Sequence, residues 1–205
     1  GEVGTAVPSL DAIVGAQEFC INQDSGLLTD SLVINSSGTI CSLSVIVNIA
    51  HISVGDLRIY LETPWNSQIA LMDRIGKTSA ASAYYLQNLG NAAGAPASYY
   101  FADSGGSTAG MANSIWAWCE ANGNVLPAGD ANIIPSGSTN VWKPTLGLCG
   151  LPDANRSSPI FFSITQEVSD KDMYGEWILH IEDHRNTRSG VFAGWSLVIS
   201  AFGVV

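Results

Sequence analysis

Basic residues are scarce in this sequence. Its 205 residues include only 8 Lys and Arg against 18 Asp and Glu, a formal net charge of −10 with neutral His. So acidic a surface repels phosphate, which excludes nucleic-acid binding and docking on anionic membranes and leaves cations as the natural small partners. Long apolar runs are missing too. The most apolar stretch, Leu43 to Val54, is broken by Ser44, Asn48, His51 and Ser53, well short of the ~18 residues a membrane helix needs. The start, Gly1-Glu2-Val3-Gly4, has no Met and no basic or hydrophobic leader, so the chain reads as a mature or excised segment. With 46% hydrophobic residues it has enough apolar surface to fold. A single domain over residues 1–205 is expected, burying about 70% of its unfolded surface.

Cysteine is limited to Cys20, Cys41, Cys119 and Cys149, with no C-x-x-C pair, and His to His51, His180 and His184. That makes a poor zinc site. An even cysteine count, little Lys and two N-x-S sequons (Asn35-Ser36-Ser37 and Asn155-Arg156-Ser157) point to a secreted protein with two disulfides. Three pairings are open; Cys20–Cys41 and Cys119–Cys149 are the most local. The alternative is four buried thiols in a cytoplasmic protein.

No catalytic frame is present. There is no G-x-S-x-G elbow, no H-E-x-x-H helix and no glycine-rich phosphate loop. Ser107, in Gly105-Gly-Ser-Thr-Ala-Gly-Met111, lacks the companion His and Asp segments of a serine protease and reads as a turn residue. Glu176, Glu182 and Asp183 could pair as glycosidase carboxylates do, but any acidic chain supplies such pairs. His180 falls on the outward side of its strand and His184 in a turn.

The periodicity that is present has period two. Leu43, Val45, Val47 and Ile49 alternate with Ser44, Ile46 and Asn48; Leu57, Ile59 and Leu61 with Arg58, Tyr60 and Glu62. Trp177, Leu179 and Ile181 alternate with Ile178, His180 and Glu182, and Trp195, Leu197, Ile199 and Ala201 with Ser196, Val198 and Ser200. These are half-buried antiparallel strands, and short strands separated by Gly/Asp/Asn/Ser turns predict an all-β sandwich. The core segments are 32–75 and 160–205. Residues 76–159 form a long insertion, with a short helix expected over Thr78–Leu89 and strands over Ser98–Asp103 and Ile115–Cys119. On a strand, Trp116 and Trp118 share a side and could stack on sugar rings; alternatively they fill the core beside Cys119. Calcium is the candidate cofactor, because Asp side chains and free carbonyls converge in turns. Asp56, Asp103 and Asp183 are its candidate ligands, with Asp170 and Asp172 a weaker pair; the plain alternative is turn residues bonding their own backbone.

Two segments together resemble the P domain, or Homo B domain, of proprotein convertases and secreted bacterial subtilisin-like proteases. The first is Ser42-Leu-Ser-Val-Ile-Val-Asn-Ile-Ala-His51, then Gly55-Asp56-Leu57-Arg-Ile59-Tyr-Leu61 and Thr63-Pro64. The second is Gly175-Glu-Trp177-Ile-Leu179-His-Ile181-Glu-Asp183, then Gly190, Trp195-Ser-Leu197 and Gly203. Looser matches lie between them, at Phe101-Ala-Asp103 with Ala109 and at Leu126-Pro127-Ala-Gly129. Where the family has Gly-Thr after Ser/Thr-Pro, this chain has Trp65-Asn66-Ser67.

The resemblance implies a jelly-roll sandwich of about eight or nine antiparallel strands. It also implies a non-catalytic accessory role beside a catalytic domain of the same polypeptide, stabilising or regulating it, with calcium as a possible cofactor. Trp177 and Trp195 would fill the inter-sheet core, and Gly55 and Gly190 would allow turns that a Cβ strains. The competing reading is a jelly-roll module that binds carbohydrate or protein surfaces.

Overall fold

A computed structural model describes residues 2–6, 17–18, 26–75, 87–91, 93–104, 106–107, 114–122, 133–146, 160–161, 163–183 and 190–205. It is an all-β sandwich of two sheets with two short helices. The strands are β1 (Glu2–Ala6), β2 (Gln17–Glu18), β3 (Gly26–Ile34), β4 (Thr39–His51), β5 (Leu57–Glu62), β6 (Gln68–Asp73) and β7 (Ala97–Phe101). They continue as β8 (Gly106–Ser107), β9 (Asn140–Trp142), β10 (Thr145–Leu146), β11 (Ile160–Phe161), β12 (Gly175–Asp183) and β13 (Gly190–Phe202). The helices are α1 (Ile115–Ala121) and α2 (Ile164–Val168). Sheet A runs β1-β13-β4-β7-β9-β8, with β2 also on β13, and sheet B runs β11-β10-β6-β5-β12-β3.

The four alternating runs become β4, β5, β12 and β13. Their apolar residues face inward between the sheets: Val45, Val47, Leu57, Leu61, Trp177, Leu179, Ile181 and Leu197 have no exposed surface. The alternation explains the register, since a one-residue slip would turn every one of these side chains to water. The chain crosses from sheet A to sheet B between β4 and β5, through a single 3-10 turn at Val54–Asp56, and crosses back between β12 and β13.

Several local expectations need correction. Ile115–Cys119 is not a strand but part of α1. Ser114 caps it, its side chain accepting from the Ala117 N–H, and Trp116 Nε1–H donates to Glu120 one turn on, at 2.8 Å. The run is apolar on all sides and so carries no periodicity to separate the two structures. The helix expected over 78–89 does not reach its end: Asn88 and Leu89 form extended bridges with Ile133 and His51, and residues 78–86 lie outside the described residues. Not every pair is antiparallel, because β6–β10 and β7–β9 run parallel. Those partners come from the 76–159 segment, which also supplies Tyr99, Phe101, Trp116 and Trp142 to the common core.

Gly55 and Gly190 take no left-handed conformation: Gly55 sits in the 3-10 turn and Gly190 opens β13. A glycine the fold does require is Gly175. Its φ is 126°, and a Cβ there would lie 2.7 Å from Pro64 Cβ. Beside that contact Trp65 sets its ring edge-on to Trp177, 5.4 Å between centroids at 81°. Trp65 thus packs against the core tryptophan.

Candidate functional site

The two motif segments meet at both ends of β12. At its start Gly175 abuts Pro64. At its finish Asp183 meets His51, Nε2 to Oδ2 at 3.0 Å, with both side chains fully buried. The other ring nitrogen of His51, Nδ1, lies 2.7 Å from the Ser53 carbonyl oxygen and 3.1 Å from the Ser53 amide nitrogen. A His–Asp pair is part of an acid–base triad. Here the second nitrogen engages Ser53 backbone and water is excluded, so the pair ties β4 of sheet A to β12 of sheet B.

The three candidate calcium ligands are placed as follows. Asp183 is bonded to His51. Asp56 is fully buried in the 3-10 turn, beside Leu57, which pairs with Asp183. Asp103 serves α2: its carboxylate accepts from Ser163 Oγ at 3.0 Å and from the Ile164 and Thr165 N–H groups at 2.8 Å each. Burial pushes the Asp103 pKa up, but hydrogen bonds from the Thr165 hydroxyl, the Thr165 and Ile164 amides and the Ser163 hydroxyl outweigh it and hold the carboxyl below its ordinary value. Phe101 stands opposite Val45 on β4, and Asp103 lies two residues further on, towards the far end of that strand from His51, roughly 25 Å away at ~3.3 Å per residue. Among the described residues no group of three His, Cys, Asp or Glu could hold a metal ion. Asp172 accepts from Ser37 Oγ and from the Gly38 and Tyr174 amides, while Asp170 takes a positive φ of 63°.

Trp116 and Trp118 are both buried. Residues two apart on a helix point ~200° from each other, and α1 is covered on both sides, so they offer no stacking platform. Cys119 is a buried free thiol and Cys41 a half-buried one; their expected partners, Cys20 and Cys149, lie outside the described residues, as does His184. Trp177 donates its indole N–H to the Met173 carbonyl and Trp195 to Asp30 Oδ2, 3.1 and 3.0 Å. His180 does face outward but is largely covered: it stacks on Tyr60, 4.5 Å between centroids, and its Nε2 lies 2.8 Å from Glu62 Oε2. Arg58 also lies over the Tyr60 ring, 4.7 Å from its centroid, and 3.4 Å from Glu182.

Local sequence could not reveal one further feature. Large apolar side chains are exposed around the β3–β4 turn: Val33 (54%), Tyr174 (58%), Phe202 (67%) and Val204 (42%). They are gathered there by pairing. Val33 lies opposite Glu176, Thr39 opposite both Phe202 and Asp172, and Ser37 and Val205 exchange backbone hydrogen bonds. Gly38 sits at the centre, within 3.4 Å of the Phe202 carbonyl, Val204 and Met173 by its Cβ direction. This end of the sandwich lies opposite the His51–Asp183 end. Exposed apolar residues clustered in this way mark an interaction site more often than a plain surface.

No protein-family model matches the chain, and no curated protein matches it. Among solved structures, it is similar to a serine protease of Aeromonas sobria, at 10% identity and a TM-score of 0.41, covering 97% of this chain and 27% of that one. The complex of the Aeromonas sobria serine protease with the chaperone is similar at 10% identity and a TM-score of 0.42, with the same coverage. The chain spans 27% of the length of these solved structures.

Proposed function

We propose that this chain is a non-catalytic accessory domain of a secreted protease, of the P-domain kind, which packs its β3–β4 end against a neighbouring catalytic domain of the same polypeptide and stabilises it. The observation that carries the reading is the cluster of Val33, Tyr174, Phe202 and Val204, too apolar to face water without cost. The two motif segments support it from the sequence side. A sugar-binding role loses its support with Trp116 and Trp118 buried.

The test is the melting temperature of the catalytic domain in the full-length protein, with and without the pair Tyr174→Ser and Val204→Ser. The expected result is a lower melting temperature and faster autolysis of the catalytic domain, while the isolated chain melts as before. A catalytic domain indifferent both to these substitutions and to removal of the whole chain would sink the proposal.

A further inference from the structure

The two outer faces of the sandwich differ in charge. On sheet B the outward positions include Arg58, Tyr60 and Glu62 of β5 and Glu176, Ile178, His180 and Glu182 of β12, with Asp73 of β6 opposite Arg58; those of β3, Leu27, Thr29, Ser31 and Val33, are uncharged. On sheet A the outward positions of β4 are Ser42, Ser44, Ile46 and Asn48, with Ala50 beyond them buried beneath Gly90. Those of β13 include Val191, Ala193, Ser196, Val198 and Ser200. Ser98 and Tyr100 of β7 and Val141 of β9 continue the face. Not one of these is charged, in a chain of net charge −10. Among the described strand residues, only Glu18 of β2, opposite Val191 at the margin, brings a charge to this register.

We infer that the outer face of sheet A is a self-association surface, on which a second copy of this chain stacks face to face. Two molecules of this net charge repel each other wherever their acidic faces approach. The sheet A face is a broad place where two copies can touch without burying an unpaired charge. It is self-complementary in the sense a two-fold dimer needs: serines alternate with Ile46, Val198, Tyr100 and Val141, so two such faces interdigitate as packed sheets do, about 10 Å apart. Its size also fits. β4 and β13 have thirteen residues each, ~43 Å of strand. With β7 and β9 beside them the face covers about 600 Å² per copy, at the lower limit for a specific interface, so the dimer is weak and reversible. This inference uses neither Tyr174 nor Val204 and stands or falls separately from the proposed docking.

The test is sedimentation equilibrium of the chain from about 1 to 200 μM, at low and high salt. Wild type is expected to move from monomer to dimer across that range, and more readily at high salt, because salt screens the net repulsion while the contact itself holds no ion pairs. Ile46→Lys and, separately, Ser44→Lys weaken association at least tenfold, with circular dichroism unchanged. Thr29→Lys, on the outer face of sheet B, leaves it intact. A chain that stays monomeric throughout, a dimer that salt dissolves, or one that Thr29→Lys breaks while folded Ile46→Lys and Ser44→Lys do not, overturns the inference.

Discussion

His51 and Asp183 stand 132 positions apart in the chain, yet Nε2 and Oδ2 meet at 3.0 Å where neither side chain touches water. Removing one partner leaves the other polar and buried, which costs about 3–5 kcal/mol. His51→Ala and Asp183→Ala should therefore each lower stability by that amount in urea denaturation. The double variant should lose clearly less than the two together, because the second loss strands no further group. Additive losses would mean the two residues act independently.

Gly175 tests the contact at the other end of β12. Gly175→Ala meets both an unfavourable φ of 126° and the Pro64 ring at 2.7 Å, and should cost about 1–3 kcal/mol. Gly203 also has a positive φ, 62°, but nothing lies within 4 Å of its Cβ direction. Gly203→Ala should therefore lose only about 1 kcal/mol. Equal losses in thermal melting would show that backbone strain alone matters and that Pro64 does not.

Asp103 predicts a pH dependence. Its folded pKa lies below the ordinary carboxylate value, so the carboxylate contributes stability that is fully present above that ordinary value. The contribution fades as the pH falls through it towards the folded pKa. Asp103→Asn should cost about 1 kcal/mol at pH 7, since the group is only partly buried and the amide oxygen still accepts one bond. The gap between wild type and variant should narrow as the pH falls below the ordinary carboxylate value. A gap unchanged between pH 7 and pH 3 would contradict the assigned role.

Cys119 should be chemically silent in the folded state. It is fully buried in α1, and burial first, with Glu120 adding to it, pushes its thiol pKa well up. After reduction, alkylation at pH 8 followed by mass spectrometry should label half-buried Cys41 first. Labelling of Cys119 should wait for denaturant. Equal native labelling of both would place α1 in solvent.

The alternating strands were legible because a two-residue period has one physical meaning: one face buried, the other not. That sufficed for β4, β5, β12 and β13, for the class of fold and for the inward direction of Trp177 and Trp195. Where the period was absent the reading failed. Ile115–Cys119 is apolar on every side, so nothing local distinguished a buried helix from a strand, and the apparent sugar platform at Trp116 and Trp118 depended on that choice.

By itself the amino-acid order determined which positions turn inward and that the surface is acidic, since both depend on composition and on neighbours along the chain. The tertiary structure alone decided that His51 meets Asp183, that Asp103 serves a helix 60 residues away, and that Val33, Tyr174, Phe202 and Val204 gather at one end. It also decided that, among the described residues, the charges of β5 and β12 gather on the outer face of sheet B while β4 and β13 present none on theirs. Those facts depend on which strands pair and in what register, and pairing is set by contacts between residues far apart in sequence, where no local pattern records them.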